Sequence, residues 1–182
     1  MKSDENAGGE AHYYSLWLMP ETNALRALKG QIDKLASMYK TAVFEPHVTL
    51  LGNIAGYENV LVEKTRTLSS GIKTMELRSD SVGHSDEYTR SLFARINMAS
   101  DIMDAYNAAI DILGVSNNGF SPHLSLMYSN MPLEKKAEAA ALLEKGALDV
   151  LKKFRVDRLC LYATWGEVTR WREIAGFGLA VP

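Results

Sequence analysis

Two seven-residue segments constrain this chain more than anything else in it: FEPHVTL, Phe44 to Leu50, and FSPHLSL, Phe120 to Leu126. Phe, Pro, His and the closing Leu are identical in the two. Val exchanges with Leu and Thr with Ser, and only Glu45 against Ser121 changes character. Side chains alternate across a β-strand, so residues i and i+2 share a face. Read as strands, the segments place His47 with Thr49, and His123 with Ser125, on one face. Val48, Leu50, Leu124 and Leu126 fall on the other. Each strand thus offers an apolar face to a core and an imidazole beside a hydroxyl on the opposite side. A repeat that served packing alone would have no need to match the polar face.

The pattern around the twin strands is an α+β one. An opening strand, AHYYSLWLM, stops at Pro20. Thr22 caps a helix to about Tyr39 whose Leu25, Leu28, Ile32 and Leu35 recur at helical spacing. The first twin strand runs from about His47 to Gly52, and a helix from Glu58 to Ser70. Two strands follow, Thr74 to Asp80 and Thr89 to Met98, separated by a polar loop, Ser81 to Tyr88. Ser100 caps the next helix and Gly114 ends it. The second twin strand, His123 to Tyr128, precedes a helix opened by Pro132 and ended or interrupted by Gly146. Strands at Phe154 to Ala163 and Trp171 to Val181, joined by a turn at Gly166, complete the chain. The order β-α-β-α-β-β then α-β-α-β-β reads as a half-repeat without its first strand. It predicts two α+β lobes sharing a cleft, one twin strand in each.

At 182 residues and 47% hydrophobic, the chain has enough apolar material for a core without disulfides or metal staples. Its formal net charge of −2 argues against a broad duplex-binding surface, but a cleft can still focus a field on a small anion. The single cysteine, Cys160, lies in the apolar run RLCLY and reads as a small buried hydrophobe. Residues 1–10 are polar and acidic and read as a flexible tail ahead of one bilobal domain, residues 11–182. They lack the apolar run of a signal peptide, and no later run is long enough to span a bilayer. A cytoplasmic monomer without a membrane partner is expected.

Two imidazoles facing each other across a cleft suit phosphoester cleavage. Histidine titrates near pH 6.5, so one neutral ring can take a proton from an attacking water while one protonated ring gives a proton to the departing sugar oxygen. The two hydroxyls can donate to the non-bridging phosphate oxygens. Each acid or base step is worth on the order of 10²–10⁴ in rate. No metal or other cofactor is called for, and no third ligand stands at recognisable spacing. GxSxG is absent, and Ser125 points alongside His123, which disfavours a serine hydrolase.

Paired HxTx and HxSx strands of this kind resemble the two-histidine phosphoesterase superfamily. The form of the second motif, His123, Ser125 and Tyr128 as HxSxxY, is most similar to the cyclic nucleotide phosphodiesterases of plants and yeast. The resemblance covers most of the chain, including YSLWLMP and the closing aromatic strands. It implies two antiparallel sheets facing a central cleft with helices outside, and metal-independent hydrolysis of ADP-ribose 1″,2″-cyclic phosphate and nucleoside 2′,3′-cyclic phosphates to 2′-phosphates. It implies His47 and His123 as the acid–base pair, Thr49, Ser125 and Tyr128 as phosphate contacts, and Trp17 as a stacking platform for a base or ribose. Strict alternation turns Tyr128 toward the core, so its role requires the strand to bend there. The alternatives are a 2′,5′-linked oligonucleotide phosphodiesterase or RNA-end processor, and a nucleotide- or RNA-binding module without catalysis. Arg90 and Arg95 can reach an anion but sit in no motif, and His12 and His84 read as incidental.

Overall fold

The computed structural model describes residues 12–117, 119–145 and 149–181. The expected tail, residues 1–10, and the expected helix stop at Gly146 lie outside the described residues. In chain order the elements are β1 (Tyr13–Pro20), α1 (Thr22–Tyr39), β2 (Val48–Ala55), α2 (Glu58–Gly71), β3 (Met75–His84), β4 (Leu92–Ile96), α3 (Ser100–Leu113), β5 (His123–Met127), α4 (Leu133–Lys145), α5 (Asp149–Lys152), β6 (Lys153–Ala163) and β7 (Arg172–Gly178). This is the order the hydrophobic periodicity predicts, with α5 added.

The strands form one seven-stranded sheet in the order β1-β2-β5-β4-β3-β6-β7, every strand pairing antiparallel. β1 also pairs with β6, so β1, β2, β5, β4, β3 and β6 close a circuit. The two expected sheets are the two sides of that circuit. One is β2-β1-β6-β7 and the other β5-β4-β3. They share β6, whose first residues pair with β3 (Met75 with Val156, Arg78 with Lys153) and whose later residues pair with β1 and β7. On the opposite side they join through the pair Val48 and Leu124.

The alternation of the twin strands is what roots them. Val48, Leu50, Leu124 and Leu126 are buried in the main core with Leu16, Leu18, Leu28, Leu159 and Leu161. Burying each such side chain is worth roughly 1.5–3 kcal/mol. Helices α1, α2 and α3 supply the outer layer with Leu28, Leu61, Leu68, Ile102 and Ala109.

Three local expectations are corrected. Thr22 and Ser100 are each the first helical residue, and the cap positions belong to Glu21 and Ala99 with no side-chain cap bond. The start of α1 is set by the sheet instead: the Glu21 amide donates to the Arg155 carbonyl at 2.9 Å, tying the end of β1 to β6. The polar segment Ser81 to His84 is strand rather than loop, because β3 runs on to pair with β4 as far as His84 with Leu92. Gly83 there stands opposite Phe93, and a Cβ on it would lie 2.7 Å from that ring. The glycine that looks like a loop signal is a strand position surrendered to an aromatic ring. Thr89 and Arg90, expected to open a strand, belong instead to a short 3-10 turn, Tyr88–Arg90.

Candidate active site

The Val48–Leu124 pair decides the geometry. In an antiparallel register through that pair, the residues before and after it face each other in exchange: His47 stands across from Ser125, and Thr49 across from His123. The two histidine–hydroxyl pairs interleave as a quartet on one face. All four side chains line a cavity of about 320 Å³ between the two sides of the sheet circuit, together with Trp17 and Tyr128. A larger, shallower groove of about 950 Å³ passes Glu21, Arg78, Asp80 and Lys153 but contains neither motif.

Each imidazole is oriented in the same way. His47 Nδ1 lies 2.6 Å from the Glu45 carbonyl and His123 Nδ1 lies 2.9 Å from the Ser121 carbonyl. A carbonyl only accepts, so Nδ1 carries the proton in both rings and Nε2 is left for chemistry. The intervening proline fixes the extended path that returns this carbonyl to the ring. Orienting the ring uses only a main-chain atom, which leaves the two side chains free to differ: Glu45 pairs with Lys29 and Ser121 Oγ accepts from Arg90. The repeated phenylalanines also act alike, each stacking on a tyrosine: Phe44 on Tyr128 at 3.7 Å, and Phe120 on Tyr106 at 4.3 Å.

The two rings differ in surroundings. His47 is buried and lies flat on Trp17, with centroids 3.4 Å apart. Burial, opposed by the Glu45 carbonyl and aided by the charge of His123, holds its pKa down at about 3. His123 is half-buried, edge-on to Phe93 at 5.5 Å. Its pKa is also lowered, by burial and by Arg90, against the Ser121 carbonyl and Glu87.

The hydroxyls differ too. Thr49 Oγ1 has no protein partner among the described residues, whereas Ser125 Oγ donates to the Thr89 carbonyl at 2.8 Å. Tyr128 follows the last residue of β5, so strand alternation ends and its side chain turns into the cavity. Burial raises its pKa well above the ordinary phenol value, which keeps it a neutral O–H donor.

Trp17 requires a correction. His47 covers one face of the indole and Tyr162 stacks on the other, 3.7 Å away. Both faces are taken, so no base or ribose can stack there. The indole backs His47 instead.

The segment from Ser85 to Ser91 forms a hydrogen-bonded wall of the cavity. Lys136, buried on α4, donates to the Ser85 carbonyl at 3.0 Å. Ser85 Oγ donates to the Arg90 carbonyl and accepts from the Glu87 amide, while Ser91 Oγ donates to the Met127 carbonyl on β5 at 2.6 Å. The turn thereby presents Glu87, Thr89 and Arg90 to the cavity. On the far side, the β1–β2 register slips by a residue and leaves Gly52 and Asn53 opposite Ser15. Asn53 takes φ 55°, a left-handed conformation that Asn tolerates. Gly52, Asn53 and Ser15 all face the cavity. The Gly-Asn dipeptide inside a strand pattern is the sequence signal for this bulge. Glu87 and Thr89 have no such signal.

Among the described residues no group of three His, Cys, Asp or Glu side chains is placed to hold a metal ion, and no helix is long and apolar enough to cross a membrane.

Residues 13–176 match the family model described as "Cyclic phosphodiesterase-like protein". The chain is 25% identical over 168 residues to an Arabidopsis thaliana protein named cyclic phosphodiesterase, covering 89% of this chain and 92% of that one. In structure it is similar to E. coli LigT solved with 3′-AMP, with a TM-score of 0.57 and 14% identity over 93% of this chain and 99% of that one. It is likewise similar to a crystal structure described as a phosphoesterase, with a TM-score of 0.61 and 14% identity over 92% and 98%. A family match over nearly the whole length, on a fold that brings both histidine motifs to one cavity, places the chain in the cyclic phosphodiesterase-like protein family, and through it among the two-histidine phosphoesterases, hydrolases of phosphodiester bonds.

Proposed function

We propose that the protein hydrolyses small cyclic phosphodiesters, nucleoside 2′,3′-cyclic phosphates or ADP-ribose 1″,2″-cyclic phosphate, with His47 as general base and His123 as general acid. The observation that carries this reading is the quartet formed across Val48 and Leu124, which aims two Nε2 atoms into a cavity sized for a nucleotide fragment. His47 is the deeper ring and stays neutral, so its Nε2 accepts a proton from water as the oxygen attacks phosphorus. His123 is the more open ring. A bound phosphate anion favours its protonated form, and its Nε2–H passes the proton to the departing ribose oxygen as the P–O bond breaks. One P–O bond forms and one breaks, and the product is a phosphomonoester. Thr49 Oγ1 and the Tyr128 O–H donate to the non-bridging oxygens. Trp17 positions His47 through its stacked face.

The near-neutral chain and the closed wall at Ser85–Ser91 favour a small diffusible nucleotide over a long oligonucleotide, which calls for an extended basic groove. A cytoplasmic monomer is part of the same reading. The test is turnover of each cyclic substrate, followed by phosphorus NMR with EDTA present, for the wild type, His47→Ala and His123→Ala. The expected result is conversion to a monoester by the wild type and none by either variant. Binding without turnover by the wild type supports a non-catalytic module instead.

A further inference from the structure

The quartet accounts for one phosphate, yet the cavity wall carries a cation it does not use. Arg90 lines the cavity and is its one permanently charged cation among the described residues. Its Nη2 donates to Ser121 Oγ at 2.8 Å, its Cζ lies 4.7 Å from the Phe93 ring centroid, and its Nε is buried without a partner. Arg95 stands across from His123 on β4, and its Cζ lies 5.2 Å from the same ring. Neither guanidinium is in an ion pair among the described residues. In a chain with 22 acidic residues, two arginines without an ion pair meet at one phenylalanine, Arg90 lining the cavity and Arg95 exposed beside it, and a guanidinium so placed is suited to accept an anion.

The hydrogen-bond partner distinguishes Arg90 from the quartet. Ser121 lies one alternation step before His123 in the second twin segment, and the Arg90 guanidinium is bonded to Ser121 Oγ rather than to a quartet side chain, at the His123 side of the cavity. Its anchoring to Ser121 and Phe93 fixes the guanidinium before any ligand arrives, and a pre-organised fork loses little on binding.

Building on the cyclic phosphodiesterase reading above, we propose that Arg90, backed by Arg95, forms a second anion subsite that holds another phosphate of the substrate, the 5′-phosphate or phosphoanhydride of a nucleotide-derived cyclic ester. Substrates carrying that second phosphate are then preferred over the bare nucleoside cyclic phosphate.

The experiment compares adenosine 2′,3′-cyclic phosphate with and without a 5′-phosphate, reading the ratio of kcat/KM between the two. The wild type is expected to favour the 5′-phosphorylated substrate by about tenfold or more, the effect of one charge-assisted hydrogen bond. Arg90→Gln should bring the ratio toward unity, Arg90→Lys should keep part of it, and Arg95→Gln should lower it by about two- to threefold. A wild type without preference overturns the proposal. So does an Arg90→Gln enzyme slowed equally on both substrates, since that is the signature of a support for His123 rather than a contact to the second phosphate. If Arg90→Gln does not fold, the Arg90→Lys and Arg95→Gln ratios decide by the same criterion. If the wild type turns over neither substrate, the hydrolase reading fails on its own. The subsite is then judged by titrating adenosine 5′-monophosphate against adenosine: a wild-type preference lost in Arg90→Gln upholds it, and equal affinities overturn it.

Discussion

Val48 and Leu124 pair across the junction between β2 and β5, both with no exposed surface. That one buried pair joins the two sides of the sheet circuit and sets the register that interleaves the motifs. It also explains why the apolar residues between the histidine and the hydroxyl are as closely matched as the polar ones. A slip of one residue in either strand would send that strand's side chains to the opposite face, turning its imidazole into the core and its apolar residues into the cavity. The core therefore enforces the geometry of the cavity.

The two hydroxyls are expected to differ in weight. Thr49 Oγ1 is uncommitted among the described residues, whereas Ser125 Oγ already donates to the Thr89 carbonyl and must give up that bond to serve a phosphate. Thr49→Ala should lower kcat by about 100- to 1000-fold, and Ser125→Ala by about tenfold. Steady-state kinetics on a cyclic nucleotide checks this. Equal losses would show that Ser125 leaves Thr89 when substrate binds.

His47 makes stability depend on pH with a definite sign. Its folded pKa of about 3 lies below the unfolded value of 6.5, so the unfolded chain takes up the proton first. The contribution is fully present above pH 6.5 and is lost as pH falls through the window from 6.5 toward about 3. Between pH 7 and 5 this amounts to about 2 kcal/mol, and the lowered pKa of His123 acts in the same direction. Urea unfolding at the two pH values should show this loss in the wild type and a smaller one in His47→Gln. An equal loss in both would place the acid sensitivity elsewhere.

Gly83→Ala tests the close approach behind His123. The added methyl would lie 2.7 Å from Phe93, and that ring is buried and edge-on to His123. Displacing it should cost about 1–3 kcal/mol and reduce activity, because Phe93 also carries the Arg90 guanidinium. Thermal unfolding and kcat/KM measured together check this. A variant as stable and active as the wild type would show that the ring has room to move.

Features set by local pattern are legible in the sequence, and features set by long-range contact are hidden in it. The alternation in FEPHVTL and FSPHLSL is enough to separate Val48 and Leu124 from His47 and His123, since strand parity is a property of adjacent residues. Helix α1 is legible from Leu28, Ile32 and Leu35 for the same reason. The second face of Trp17 is not, because Tyr162 reaches it from a strand at the other end of the chain. Ser81 to His84 read as loop because their pairing with β4, and the ring that explains Gly83, are tertiary facts. The partner of Ser125 is a backbone carbonyl in a 3-10 turn, which no side-chain motif announces. Arg90 is visible as a charge, but its significance lies in the absence of a counter-ion among the described residues, which is a property of the folded chain.

The last expectation concerns which limb of the pH–rate profile belongs to which ring. In the free enzyme both histidines are held low, His47 at about 3 and His123 below its ordinary value. With His47 as neutral base and His123 as protonated acid, kcat/KM should be highest on the acid side of pH 6.5 and fall as pH rises through neutrality. Bound phosphate brings a negative charge beside His123 and favours its protonated form, so the basic limb of kcat should lie at higher pH than that of kcat/KM. Trp17→Leu uncovers one face of His47, which should raise its pKa and move the acid limb of kcat/KM upward by at least about one unit. The variant will be less stable, because an indole leaves a buried stack, and circular dichroism will establish that the fold survives. An acid limb that stays in place in the folded variant would assign that limb to another group and remove His47 as the general base.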